Sequence, residues 1–159
     1  MLTVDRNKEK LRTYAEVHNK EVANKFIELV PLDELINPEV KKHFIYHFPV
    51  WKSESSTTSC RLVFDVSLHK SGRASLNDLM LKGSQLTPHI LKVLLRLRLH
   101  KVLLCSDISK AFLRMVLLPR DRNFTCFFAR ENWEDPNSPI QVWRFSSVLF
   151  GASFFSLFS

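Results

Sequence analysis

Between Lys8 and Val30 the apolar residues Leu11, Ala15, Val22, Phe26 and Val30 recur at helical spacing among charged positions, and Pro31 stops the pattern. The spacing predicts an amphipathic helix with one solvated face, packed on the rest of the chain as an arm. Pro31, Pro38 and Pro49 then interrupt any long element, and the Ser/Thr-rich segment 53–59 reads as an exposed loop. From Arg61 to Ser67 the pattern switches to strict alternation, with Leu62, Phe64 and Val66 on one side and Arg61, Val63 and Asp65 on the other. A period of two predicts a strand. SLNDLMLKG leads to a helix whose start is marked by Thr87 as N-cap and Pro88 at the first helical position. In that helix, PHILKVLLRLRLHK, the residues Ile90, Leu91, Leu94, Leu95 and Leu97 are expected to face the core, and Lys92, Arg96, Arg98 and Lys101 to face solvent or phosphate.

KVLLCSD reads as a short buried strand ending at Asp107. Ile108, Ala111, Phe112 and Met115 follow at helical spacing, which predicts a helical segment directly after the acid. FTCFFA (Phe124 to Ala129) and IQVWRFSSVLF (Ile140 to Phe150) are expected strands, joined by the polar turn ENWEDPNSP. Helices and strands in this mixture give an α+β fold class, with no internal repeat.

Composition narrows the class. The 159 residues are 45% apolar and 25% charged, enough for one core, so one domain, or one and a part, is expected. The net charge of +7 favours a polyanionic partner, because clustered Lys and Arg attract phosphate and release its counterions. Cys60, Cys105 and Cys126 are odd in number and widely spaced, which argues against a disulfide framework or a thiolate zinc site and favours a reducing compartment. HFIYH (His43 to His47) has the histidine spacing of a zinc protease helix, but Phe44 stands where the catalytic glutamate belongs and no third ligand is signalled. No apolar run approaches the roughly 20 residues of a membrane span, and MLTVDRNKEKLR has no apolar signal core. The expectation is an intracellular, soluble chain without a membrane partner. Glycines are few, at 72, 83 and 151, so close backbone approaches are conspicuous.

The candidate chemistry centres on SDISKAFLRM, where Asp107 ends an apolar run and Phe112 follows five positions later. Polymerases hold two Mg²⁺ ions about 4 Å apart on carboxylates. A strand end suits the first carboxylate, because the strand fixes its direction. An Asp in this setting is equally an N-cap, and spacing alone leaves both readings open.

Taken together, RLVFDVS, SLNDLMLKG, the block from Leu99 to Phe145 and SVLFGAS resemble the reverse transcriptase of Pao-type (Bel/Pao) long-terminal-repeat retrotransposons. The resemblance runs in consistent order from about Tyr14 to Ser153, and its specific part is the ordered set of RLVFD, SLND, D-I-x-K-x-[FY], the acidic-proline turn and F-G. It implies an RNA-directed DNA polymerase, a nucleotidyltransferase acting on an RNA/DNA template-primer and deoxynucleoside triphosphates with Mg²⁺. The implied architecture is the fingers and partial palm of a right-hand polymerase, preceded by a helical arm. Residues 1–50 would form the arm and connector, 51–100 a fingers-like region, and 101–159 a partial palm with fingers strands.

The resemblance implies that the Asp107 carboxylate and the Ile108 carbonyl ligate Mg²⁺. Phe112 would lie under the incoming sugar and exclude a 2′-hydroxyl. Arg61 would grip the triphosphate with its fork of donors, and Asp65 in the same strand would be structural. Phe150 and Gly151 would pack beside the nucleotide and template. Lys70 and Arg73 are template candidates on charge and loop position. Set against this, Phe112 reads equally as core, Arg61 as a surface cation and Gly151 as a turn residue.

The family completes its two-metal site with an acidic pair in a Y-x-D-D hairpin downstream of F-G, and this sequence ends at Ser159 ahead of such a pair. The expectation is a fragment inactive by itself, with a non-catalytic basic nucleic-acid-binding remnant as the alternative. The ending ASFFSLFS departs from the family's continuation and fits a frameshift near Ser153 to Phe155.

Overall fold

The structure is a computed structural model that describes residues 2–51, 60–69, 71–80, 88–133, 135 and 137–152, with side chains from residue 8 onward. Segment 53–59, Lys70, Thr87 and the FFSLFS ending lie outside the described residues.

Helix α1 spans Leu2–Ala23 and ends seven residues short of the expected Val30. Lys25 adopts a left-handed φ of 60°, with Lys25 N–H donating to the Val22 carbonyl at 2.9 Å and Phe26 N–H to that of Glu21 at 3.0 Å. These two bonds close the helix as a Schellman motif. The chain then extends, and Ile27–Leu29 forms β1. The buried stripe of α1 also differs from expectation. Tyr14 and His18 are buried, whereas Leu11 is 41% exposed.

After the short helix α2 (Leu32–Ile36), β2 (Tyr46–Trp51) and β3 (Cys60–Asp65) pair antiparallel. Proline interruption concealed β2 in the sequence, yet Pro49 sits within it. Among the described strands β2 has only β3 as a ladder partner, and a proline is tolerated on such an edge because no ladder donor is lost. The expected strand over 61–67 stops at Asp65, whose carboxylate accepts from Ser67 N–H at 3.0 Å and turns the chain. A second antiparallel sheet has the order β1-β5-β4, with β4 at Cys126–Arg130 and β5 at Ile140–Phe145. The lead-in to β2 ties the two sheets, through Ile45 N–H to the Cys126 carbonyl at 2.7 Å and Cys126 N–H to that of His43 at 3.0 Å. Because residues 43–47 are extended, His43 and His47 do not share a helical face.

The core lies between these layers. Phe127, fully buried, meets Phe64 of β3 edge-on at 5.0 Å between ring centroids, and Phe64 meets Phe145 of β5 at 4.7 Å. Ile27, Ile45, Val66, Leu76, Leu117 and Leu149 complete the cluster. The result is a small mixed domain with antiparallel sheets. None of the helices is long and apolar enough to cross a membrane, among the described residues.

A polar knot fastens the other side of the sheet. Arg144 on β5 is buried, with Nε on Glu28 Oε1 at 2.7 Å, Nη1 on Glu34 Oε2 at 2.5 Å and on Asn123 Oδ1 at 2.8 Å. Arg122 reaches the second oxygen of Glu28 at 3.0 Å, and Asn123 donates to Glu34 at 2.7 Å. Hydrogen bonds from Arg144, then from Asn123, hold the Glu34 carboxyl below its ordinary 4.5. Burial by itself would lower the Arg144 pKa, but hydrogen bonds and charge from Glu34 and Glu28 keep it above its ordinary value.

One region departs from expectation altogether. Helix α4 is Ile90–Leu97, capped by His89, whose Nδ1 accepts from Leu91 N–H at 3.3 Å. Its apolar residues do not reach the core: Ile90, Leu91, Leu94 and Leu95 are all exposed. Residues 101–107, expected as a buried strand, have no regular secondary structure, and Leu104 is 91% exposed. An extended apolar segment needs a strand on at least one side to satisfy its backbone. Among the described residues none pairs with it. The helical segment after Asp107 shrinks to a 3-10 turn, Phe112–Arg114.

Three outcomes are expected. Arg144→Leu leaves the Glu34 carboxylate without its cation and Glu28 with Arg122 alone, and should lower unfolding free energy by about 2–3 kcal/mol in urea titrations. Because the Glu34 pKa is depressed, its contribution is present above about pH 4.5 and is lost as pH falls through the folded value, so Glu34→Gln should flatten the acid limb. Separately, Leu94→Glu with Leu104→Glu should cut binding of an apolar fluorescent dye by about half or more while leaving the urea midpoint within about 0.5 kcal/mol.

Candidate nucleotide-facing site

The end of β3 begins the site. Past Asp65 the chain turns, and Ser75 caps the short helix α3 (Leu76–Leu79) in a reciprocal capping box with Asp78. Asn77 within that turn donates from Nδ2 to Ser67 Oγ at 2.8 Å and to the Gly151 carbonyl at 2.9 Å. One amide thus ties SLND to both the end of RLVFDVS and the F-G pair. Gly151 has φ +89°, a backbone state that L side chains rarely adopt, and a Cβ there would meet Val66 Cγ2 at 3.5 Å. The conformation, rather than crowding, requires glycine.

A second tie joins the block after Asp107 to the same loop. Val148 N–H donates to the Met115 carbonyl and Leu117 N–H to that of Ser146, both at 2.8 Å, around a bridge between Val116 and Ser147. These bonds set Phe112 against Phe150, edge to face, with centroids 5.1 Å apart. Phe150 is 75% exposed, so the pair forms a partly open aromatic wall beside Gly151. Phe112 is partly buried rather than core.

Sequence reasoning missed two residues that position this assembly. Asn77 was one. Lys110 is the other: it takes a left-handed φ of 55°, pairs with Glu21 of α1 at 2.7 Å and lies 5.0 Å above the Phe26 ring. It pins the turn between Asp107 and Phe112 to the end of α1. A lysine with positive φ leaves no mark in a periodicity pattern, so only the D-I-x-K spacing hinted at it.

The remaining predicted residues are not gathered here. Asp107 and Ile108 lie exposed on the irregular segment, and Asp107 caps no helix, since the turn at Phe112 starts from Ala111 without a side-chain cap. Arg61 is exposed on β3 opposite Val50. Lys70 lies outside the described residues. Arg73 lines a separate open cleft of about 360 Å³ with His43, Phe44, Leu68, His69 and Ala74. In that cleft His69 Nδ1 donates to the Ser67 carbonyl at 3.1 Å. The Phe44 ring stacks on Phe128 at 4.7 Å, nearly parallel, and both rings are exposed. Cations beside exposed rings suit a ligand that carries phosphate and a base.

Among the described residues no group of three or more His, Cys, Asp or Glu could hold a metal ion. Cys60 and Cys126 are buried free thiols and Cys105 is exposed. Burial pushes the Cys126 thiol up to about 11, against the opposing charges of Arg144 and Lys42, so it is an inert core group.

Comparison with known proteins finds no family model and no curated protein that matches this chain.

The coupling through Asn77 can be measured. Asn77→Ala and Gly151→Ala should each lower stability by about 1–2 kcal/mol, the first by lost hydrogen bonds and the second by backbone strain. In a double-mutant cycle the pair should deviate from additivity by more than about 0.5 kcal/mol.

Proposed function

We propose that these 159 residues form the fingers and the first part of the palm of a reverse transcriptase of the Pao-type retrotransposon lineage. The observation that carries the reading is convergence in space. RLVFDVS, SLND, the D-I-x-K-x-F block and F-G are scattered over about ninety positions, yet Val66, Asn77, Phe112, Phe150 and Gly151 lie around one loop. A set of short motifs matched by chance has no physical reason to assemble. In this reading the Phe112–Phe150 wall faces the incoming deoxynucleotide, Gly151 admits the base pair, and Arg61 binds the triphosphate.

The two-metal chemistry is another matter. Asp107 and the Ile108 carbonyl are the implied Mg²⁺ ligands, but one exposed carboxylate does not make a site for two ions. No catalytic step is assigned to this chain, and it is inactive by itself in this reading.

A second reading is a basic nucleic-acid-binding module without turnover. It is favoured by the net charge and by the cleft at His43, Phe44, His69 and Arg73.

Primer extension discriminates. With RNA template, DNA primer, deoxynucleoside triphosphates and Mg²⁺, the 159-residue chain should give no product. A longer polypeptide continued through a Tyr-x-Asp-Asp hairpin should extend the primer, and Asp107→Asn should reduce that by more than about a hundredfold. Extension by the short chain, or indifference of the long one to Asp107→Asn, would overturn the proposal. For the second reading, retention of single-stranded RNA should fall steeply with salt, and Arg73→Ala should reduce the logarithmic slope by about one.

A further inference from the structure

Helix α1 meets the sheet at two histidines, His18, which is buried, and His47, which is half-buried. His18 is 3% exposed, enclosed by Trp143 at 4.9 Å edge-on, Trp133 at 6.2 Å and Phe127 at 6.4 Å, and its Nε2 has no hydrogen-bond partner. His47, on β2, bridges the helix to the sheet. Its Nε2 donates to the Phe128 carbonyl at 2.7 Å, so Nδ1 is the acceptor for the Tyr14 hydroxyl at 2.5 Å.

We propose that α1 is an acid-released cover: proton uptake by His18 and His47 lifts it from the sheet and bares Trp133 and Trp143, while the Arg144 knot keeps the sheet folded.

The geometry gives each proton a distinct effect. A proton on His47 Nδ1 turns the acceptor into a donor, so the Tyr14 hydroxyl loses its partner and must reorient. A proton on His18 puts a full charge into a cage of rings. Cation–π contact returns less there than removing an imidazolium from water costs. The surrounding groups offer little compensation. From α1 they are Tyr14, Asn19 and Glu21, and Glu21 is committed to Lys110 at 2.7 Å. From β2 and β3 they are Tyr46, His47 and Cys60; β4, β5 and the turn between them present the rings of Phe127, Trp143 and Trp133.

The titration directions agree. Burial lowers the His18 pKa from its ordinary 6.5, a hydrogen bond to the Asn19 side chain opposes this, and His47 lowers it further. Burial also lowers that of His47, with the bond to Phe128 opposing. A histidine with a depressed folded pKa stabilises docking above about pH 6.5, and the contribution is lost as pH falls toward the folded values. The Glu34 and Arg144 pairing persists through this window, because the carboxyl there titrates below 4.5.

Amide hydrogen exchange of the full chain between pH 7 and pH 5, corrected for intrinsic rates, tests the proposal. Opening coupled to one proton rises about tenfold per pH unit as pH falls from the ordinary 6.5 toward the folded value, and levels off below it. The α1 amides should therefore lose at least about tenfold protection by pH 5, while β4 and β5 amides keep theirs. Carrying His18→Phe and His47→Gln together, which retain the ring and the Tyr14 acceptor without a titrating nitrogen, should abolish the pH response. In the unaltered chain, ring-proton NMR should give both histidines the same midpoint as the loss of α1 protection. Constant protection of α1, simultaneous loss in α1 and β5, or histidines that titrate with α1 still docked would each overturn it.

Discussion

The fold depends on one buried guanidinium. Arg144 sits on the central strand β5 and reaches Glu28 on β1, Glu34 on α2 and Asn123 ahead of β4, so a single side chain sets the spacing of four segments. Lysine could not replace it, since the three directions are fixed by the planar fork of donors. The carboxylates are each about one-third exposed, so their desolvation is partial while the cation is nearly enclosed. That asymmetry favours the folded state. Most of the cost falls on one group, and three partners compensate it.

On the opposite face the same strand carries Trp143 into an aromatic layer with Trp133, His18, Tyr14 and His47. This layer decides how α1 sits, and it was nearly illegible in the sequence. Counting apolar positions selects Leu11 and Ala15, because Tyr14 and His18 score as polar. Only a sheet face rich in aromatic rings makes a neutral histidine a better core residue than leucine at that position. The helix end was hidden for a related reason. The periodicity runs on through Phe26 and Val30, while the break comes from the left-handed Lys25, a state with no compositional mark.

Elsewhere the sequence was a good guide. Alternation in RLVFD, the polar turn after Arg130 and the runs around Cys126 and Val142 gave β3, β4 and β5 within two or so residues of their ends, apart from the tail 146–150. These strands carry their pattern locally, and their partners are all among the described residues. At the candidate site Phe112 meets Phe150 next to Gly151, a contact that motif order does not state, and Asp107 was expected on a strand that does not form.

The failure at 101–107 has a physical cause that also accounts for α4. Both segments are apolar by pattern, and both find no counterpart among the described residues. From Leu79 to Ser106 the chain has no acid, so charge pairing cannot anchor it either. A leucine taken fully out of water contributes roughly 2 kcal/mol. Five or six such side chains together approach the whole stability of a small domain, about 5–15 kcal/mol. A gain of that size left unclaimed explains why correct local periodicity produced the wrong local structure. Periodicity states which face wants burial, but the surface that accepts it lies elsewhere, and a strand without a neighbour remains an extended, solvated chain. The two sheets and α1 close on the cluster around Phe127 and Phe145, and the carboxylate at Asp107 stands outside that packing.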